Sequence, residues 1–141
     1  MSGLDALRAI AAGRVPPPPF AELLNFALVE VEEGRAVFEG TPGEEHYNPL
    51  ATVHGGYAMT LCDSAMTCAV QTLLPAGVGA TTTDAQIRLI RPMTKETGRV
   101  RCEGVALHVG RSTAVAEAKL RDGEGRLLGV ATTACAILRP R

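Results

Sequence analysis

Gly55-Gly-Tyr-Ala-Met-Thr-Leu-Cys-Asp63-Ser-Ala-Met-Thr67-Cys-Ala-Val-Gln-Thr-Leu-Leu74, closed by Pro75, holds twelve hydrophobic residues, six polar ones and two glycines, and Asp63 is its single charge. No proline interrupts it, so it reads as one helix that stops at Pro75. A helix that is apolar nearly all round must be buried on most of its sides. A membrane span of ~20 residues would look similar. Thr60, Asp63, Ser64, Thr67, Gln71 and Thr72 are too polar for lipid, however, so the helix calls for a wrapper within the same protein. Downstream, Ala80–Arg91, Gly98–Val109, Ser112–Arg121 and Arg126–Leu138 read as four long strands. In the third, Thr113, Val115, Glu117 and Lys119 alternate with Ala114, Ala116, Ala118 and Leu120. Gly110-Arg111 and Asp122-Gly-Glu-Gly125 are short turns, which makes the last three strands an antiparallel meander. Small residues at Ala114, Ala116, Ala118, Gly129 and Ala131 would let a curved sheet approach the helix.

Upstream, Ala27–Glu32 and Arg35–Gly40 read as two more strands joined at Glu33-Gly34. The expected fold class is α+β: one long central helix wrapped by a curved antiparallel sheet of about six strands. Residues 41–54 carry neither a helical nor a strand period, and a loop this long in a small domain is usually functional. Leu4–Ala12 can form a short helix, and Pro16–Pro19 favour an extended polyproline rod. The domain organisation expected is therefore residues 1–19 as a short helix and proline-rich spacer, a loosely attached arm, followed by the main domain at 20–141.

Length and composition exclude several function classes. The 141 residues are one domain's worth of chain. With 46% hydrophobic and 21% charged residues the chain can bury a core, so disorder is excluded. Fourteen basic against fifteen acidic residues leave a net charge of −1, and aromatics are only 4% with no Trp. That leaves no strong field for nucleic acid or anionic lipid and no stacking platform for bases. The cysteines at 62, 68, 102 and 135 form no C-x-x-C pair, so no metal site is expected and each reads as a small buried hydrophobe. Cys62 and Cys68 would lie roughly 240° apart around one helix and cannot bridge. Met1–Gly13 has no continuous apolar run of the kind a signal peptide needs, so a reducing cytoplasm is the expected location.

Two features of the helix point to chemistry. His54-Gly55-Gly56 opens it, and a helix start offers unpaired N–H groups that suit a developing oxyanion. The same glycines would also serve a tight turn from loop to helix. Asp63 is a lone carboxylate in an uncharged buried helix, costly unless paired or functional. Thr60 and Thr67, three before and four after, share its face and could satisfy it. Eight residues at ~1.5 Å rise separate Gly55 from Asp63 by roughly 12 Å. Groups acting on one reacting carbon must each lie ~3 Å from it. If both act, Asp63 must come from a second copy across a two-fold axis, and the catalytic unit is a homodimer.

Asn48-Pro-Leu-Ala-Thr-Val-His54-Gly55-Gly56, followed by Asp63 and then Thr67, resembles the signature of hotdog-fold acyl-CoA thioesterases. The branch it resembles holds the phenylacetic-acid-degradation type and the 4-hydroxybenzoyl-CoA thioesterases. Ile90-Arg91-Pro92 and His108-Val-Gly110-Arg111 are similar to the family's later strands, so the resemblance spans roughly residues 20–138.

The resemblance implies hydrolysis of an acyl-CoA thioester to free CoA and a carboxylic acid. It gives Gly55 N–H the role of polarising the thioester carbonyl, with the Asn48 side chain assisting. Asp63 of the partner subunit becomes the nucleophile or the base that activates water. It sets Thr67 near that carboxylate and Thr82 where some relatives place a water-orienting Ser. His54 and Gly56 fall among the substrate-binding residues, His54 as a holder of the loop rather than a base. Arg88, Arg91 and Arg111 are candidate partners for the CoA phosphates, or else solvated strand charges. No cofactor is implied beyond the CoA of the substrate, and the expected assembly is a homodimer, with a tetramer likewise implied. Two competing readings are a hotdog hydratase or dehydratase and a non-catalytic acyl-CoA-binding module. The acyl group itself is not readable from the sequence.

Overall fold

The computed structural model describes all 141 residues. Its helices are α1 (Gly3–Ala11), α2 (Pro19–Leu23) and α3 (Gly55–Gln71). Its strands are β1 (Phe26–Glu32), β2 (Arg35–Gly40), β3 (Gly79–Leu89), β4 (Val100–Val109), β5 (Thr113–Arg121) and β6 (Leu127–Leu138). Short 3₁₀ turns at Glu44–His46 and Lys95–Thr97 punctuate the loops. The expected wrapping is found: one six-stranded antiparallel sheet, in the order β1-β2-β4-β5-β6-β3, curves around α3. The helix ends three residues before Leu74, in turns held by Thr72 and Gln71. Thr72 Oγ1 accepts the Gly34 N–H at 2.8 Å, while the Gln71 amide bonds Val78 O and Ala80 N at 2.9 and 3.2 Å. No helix is long and apolar enough to cross a membrane.

The core sits between α3 and the concave face of the sheet. From the helix come Ala58, Leu61, Cys62, Ala65, Met66, Ala69 and Val70; from the sheet come Ala114, Ala116, Ala118, Leu120, Val100 and Cys102, all buried. The small-residue stripe on β5 therefore does face the helix, as its alternation predicts. Gly129 shares that face, opposite Leu120, but the nearest atoms to a Cβ there belong to β3, the Arg88 carbonyl at 3.3 Å first, and not to the helix. The sheet comes close to the helix at Gly104, whose added Cβ would overlap the Ala65 carbonyl and come within 2.7 Å of Met66 N.

The N-terminal arm is docked, against the expectation of loose attachment. Gly3 N–H bonds the Leu74 carbonyl at 3.1 Å, and a Cβ on Gly3 would overlap the Gln71 carbonyl, so only glycine lets the arm lie this close. Leu7 and Ala9 are buried, and Leu7 belongs to the main core. The proline run is not one rod either. Pro18 is extended, but Pro19 starts α2, where a fixed φ and a missing N–H carry no penalty.

Candidate functional site

His54 caps the start of α3. Its Nδ1 accepts the Gly56 N–H at 2.8 Å, its carbonyl accepts the Tyr57 N–H at 2.9 Å, and its own N–H bonds the His46 carbonyl at 2.8 Å. The ring thus holds the loop onto the helix, and an accepting Nδ1 leaves the neutral ring's proton on Nε2. The Gly56 donor is spent. The Gly55 N–H carries no hydrogen bond and sits at the positive end of the helix.

Gly55 lines a cleft of about 270 Å³ with Asn48, Thr52, Val53 and residues 89–93. Asn48 is strongly engaged by its own loop. Its Oδ1 accepts the N–H groups of Leu50 and Thr52 at 2.9 and 3.3 Å, and its Nδ2 donates to Thr52 Oγ1 at 2.9 Å. This is an Asx turn that carries Ala51 at a φ of 62°. One N–H of the Asn48 amide stays unused. Arg91 lines the same cleft, and also an adjoining polar one with Glu96, Asp122 and Arg126. Arg88 does not join it: it lies in a shallow groove beside Glu117 and Lys119. Arg111 is exposed at the β4–β5 turn, where its carbonyl accepts from Arg139. Of the three arginines, the structure brings only Arg91 to Gly55.

Asp63 occupies a different cleft, of about 470 Å³. Thr82 Oγ1 donates to Asp63 Oδ1 at 2.6 Å, and Thr67 Oγ1 lies 3.1 Å from Thr82 Oγ1. With the Thr82 hydroxyl donating to the carboxylate, the Thr67 hydroxyl donates to Thr82, so the bonds run Thr67 to Thr82 to Asp63. The direct Thr67–Asp63 distance of 3.5 Å is at the limit of a hydrogen bond. Asp63 Oδ2 has no hydrogen-bond partner in the chain. Thr60, expected on the same face, bonds back to the Gly56 carbonyl at 2.8 Å and takes no part.

Thr82 reaches Asp63 because β3 is bulged. Its pairing with β6 slips between Thr82 and Asp84, which leaves Thr83 as the extra residue. Inward-facing positions are even before the bulge (Ala80, Thr82) and odd after it (Ala85, Ile87). A regular strand that aimed Thr82 inward would also aim Asp84 and Gln86 at the core.

Several buried polar residues went unread in the sequence. The His46 ring lies 4.8 Å from the Tyr57 ring under the loop, and its Nδ1 accepts the Gly43 N–H at 2.9 Å. Burial pushes the Tyr57 hydroxyl up to about 12, so it stays protonated. Only the unusual length of the loop hinted that it needed such internal supports. Cys62 and Cys102 place their sulfurs 3.7 Å apart between α3 and β4, a proximity that spacing along one helix cannot reveal. Cys68 lines the Asp63 cleft, but burial first, and then the Asp63 charge, push its thiol up to about 12. It is no nucleophile at neutral pH. No group of three or more His, Cys, Asp or Glu side chains is arranged to hold a metal.

The comparisons with known proteins agree with this geometry. The family model described as the thioesterase superfamily matches residues 50–128, more than half of the chain. A 1,4-dihydroxy-2-naphthoyl-CoA hydrolase of Listeria monocytogenes is 27% identical over 121 residues, covering 85% of this chain and 96% of that protein. A Saccharolobus solfataricus protein, whose esterase name is provisional, is 30% identical over 137 residues, covering 97% and 96%. Among solved structures, the E. coli PaaI protein from the phenylacetic acid degradation operon superposes with a TM-score of 0.83. It covers 97% of this chain and 96% of its own at 20% identity, a likeness of fold. The chain therefore belongs to the thioesterase superfamily, and it is a thioester hydrolase built on the hotdog fold.

Proposed function

We propose that this protein hydrolyses acyl-CoA thioesters at two equivalent sites of a homodimer. Each site combines the Gly55 end of one subunit with Asp63 of the partner subunit. The observation that carries this reading is Asp63 itself. It is a carboxylate in an otherwise uncharged helix, with one oxygen tied to Thr82 and the other free in a largely apolar cleft.

The thioester oxygen accepts the unpaired Gly55 N–H, and the free N–H of the Asn48 amide supplies a second donor. The carbonyl carbon is thereby polarised where negative charge will develop. Asp63 of the partner subunit then acts in one of two ways. It takes a proton from water, whose oxygen attacks the carbonyl carbon, or its own oxygen attacks and water cleaves the resulting anhydride. In either course the C–S bond breaks as the oxyanion collapses, and CoA leaves as the thiol once protonated. Thr82, held in turn by Thr67, ties down the carboxylate's other oxygen, His54 and Gly56 keep the loop and helix start in register, and Arg91 is the arginine best sited for a CoA phosphate.

The test is thiol release from a panel of aliphatic, aryl and hydroxyaryl CoA esters. Release well above the uncatalysed rate is expected for at least one class. Tight binding of several esters with no thiol release would replace this reading with that of a binding module.

A further inference from the structure

We infer that the N-terminal arm walls the acyl site: the Asp63 cleft takes an uncharged, apolar acyl group of ring or medium-chain size, and Ile10 with Leu7 and Phe20 sets its length. This inference rests on the proposed activity and extends it to the substrate class.

Four observations carry it. The cleft that holds Asp63 and Thr82 continues, without a second charged residue, to Leu7 and Ile10 on α1 and Phe20 on α2. The chain has three phenylalanines, and all of them line this one cleft. Phe20 packs edge-on to Phe26 with centroids 6.5 Å apart, and Phe26 packs edge-on to Phe38 at 5.6 Å. Such rings offer faces and edges to another ring or to a methylene chain. Finally, the arm is fixed to the end of α3 by the close approach at Gly3, so the wall is held in place rather than swinging free.

Chemistry limits the occupant. About 470 Å³ is ample for an acyl chain or an aromatic ring and is wasted on acetyl. Within one subunit Asp63 is the only charge lining the cleft, so an acyl group with its own carboxylate would meet a like charge there. The arm lies outside residues 50–128, the part that matches the family model.

The experiment compares kcat/KM for acetyl-, hexanoyl-, octanoyl-, phenylacetyl- and succinyl-CoA in the wild type, Ile10→Trp and Ile10→Ala. Ile10 is only partly buried on a surface helix, and circular dichroism checks that each variant folds. The wild type should prefer hexanoyl or phenylacetyl over both acetyl and succinyl by at least ~10-fold, the scale of filling or leaving empty an apolar pocket. Ile10→Trp should lower the phenylacetyl-to-acetyl ratio at least ~10-fold, and Ile10→Ala should raise the ratio of octanoyl to hexanoyl. In parallel, calorimetry with the thioethers S-hexyl-CoA and S-ethyl-CoA reads the same pocket without turnover. The hexyl compound should bind about tenfold more tightly to the wild type and lose that margin in Ile10→Trp. Ratios unchanged in both variants, or succinyl-CoA turned over as well as hexanoyl-CoA, would overturn the inference while leaving the activity intact. Thioether discrimination without hydrolysis of any ester would uphold the pocket and remove the activity.

Discussion

At Asp63 one carboxylate oxygen is committed and the other is free, and that asymmetry makes two predictions. In Asp63→Asn the shape is kept, but the side chain can neither take a proton from water nor attack a carbonyl. Turnover should fall by at least ~10² with the fold intact, the loss expected of a principal acid–base or nucleophilic group. Steady-state thiol release on the preferred ester measures it, and near-normal turnover would make Asp63 a structural residue. Thr82 is a positioning residue. Thr82→Val removes the 2.6 Å bond to Asp63 Oδ1 and should cost on the order of tenfold in kcat, the worth of one hydrogen bond to a charged group. Thr82→Ser, which keeps the hydroxyl, should restore most of the loss. A Ser variant as slow as the Val variant would mean that packing, not the hydrogen bond, is what Thr82 supplies. Asp63 was legible in the sequence because a single charge in an uncharged helix stands out. The Asx turn at Asn48 was not, because the same Asn can cap its own loop or face a ligand, and only coordinates choose.

Among the elements, α3 and β5 could be read directly: the first from its nearly all-round apolarity, the second from strict alternation. The bulge in β3 was harder to see. Its trace in the sequence is a phase slip in the inward positions, from Ala80 and Thr82 to Ala85 and Ile87, and a run of three threonines blurs the slip. The arm was misread because composition describes the proline run in isolation, while the docking comes from Gly3 meeting the end of α3 seventy residues away. The glycines show the same limit. Gly129 and Gly104 both interrupt strands, but only the backbone path shows which of them is pressed against the α3 backbone. Gly104 is where β4 and α3 meet backbone to backbone. The Cβ of Gly104→Ala would overlap the Ala65 carbonyl, and neither strand nor helix backbone can yield cheaply. The variant should be destabilised by about 2 kcal/mol or more, the range of overpacked cores, and should melt several degrees lower in calorimetry. An unchanged melting temperature would show that β4 can lift from the helix without cost.

For the molecule as a whole, the two clefts pose the question of assembly. Gly55 and Asp63 line separate clefts and stand roughly 12 Å apart along α3, too far for one carbonyl carbon. Antiparallel α3 helices across a two-fold axis would bring each Gly55 to Asp63 of the partner subunit. Complementation between two inactive variants tests this arrangement. Asp63→Asn removes the carboxylate. Gly55→Pro removes the N–H donor while suiting the first turn of a helix. His54 already has the extended backbone that precedes a proline, at φ −56° and ψ 135°. The nearest atom to a Cβ at Gly55 is the mobile end of Leu89, at 2.9 Å. Each homodimer should be nearly inert. A mixed dimer holds one site with both lesions and one with neither. Co-refolding equal amounts should therefore recover about a quarter of wild-type activity, since half of the random dimers carry one good site of two. With folding and subunit exchange confirmed, mixtures no more active than the separate variants would place Gly55 and Asp63 in different roles within a single chain. The shared-site mechanism would fall, although the hotdog fold and the thioesterase family would stand.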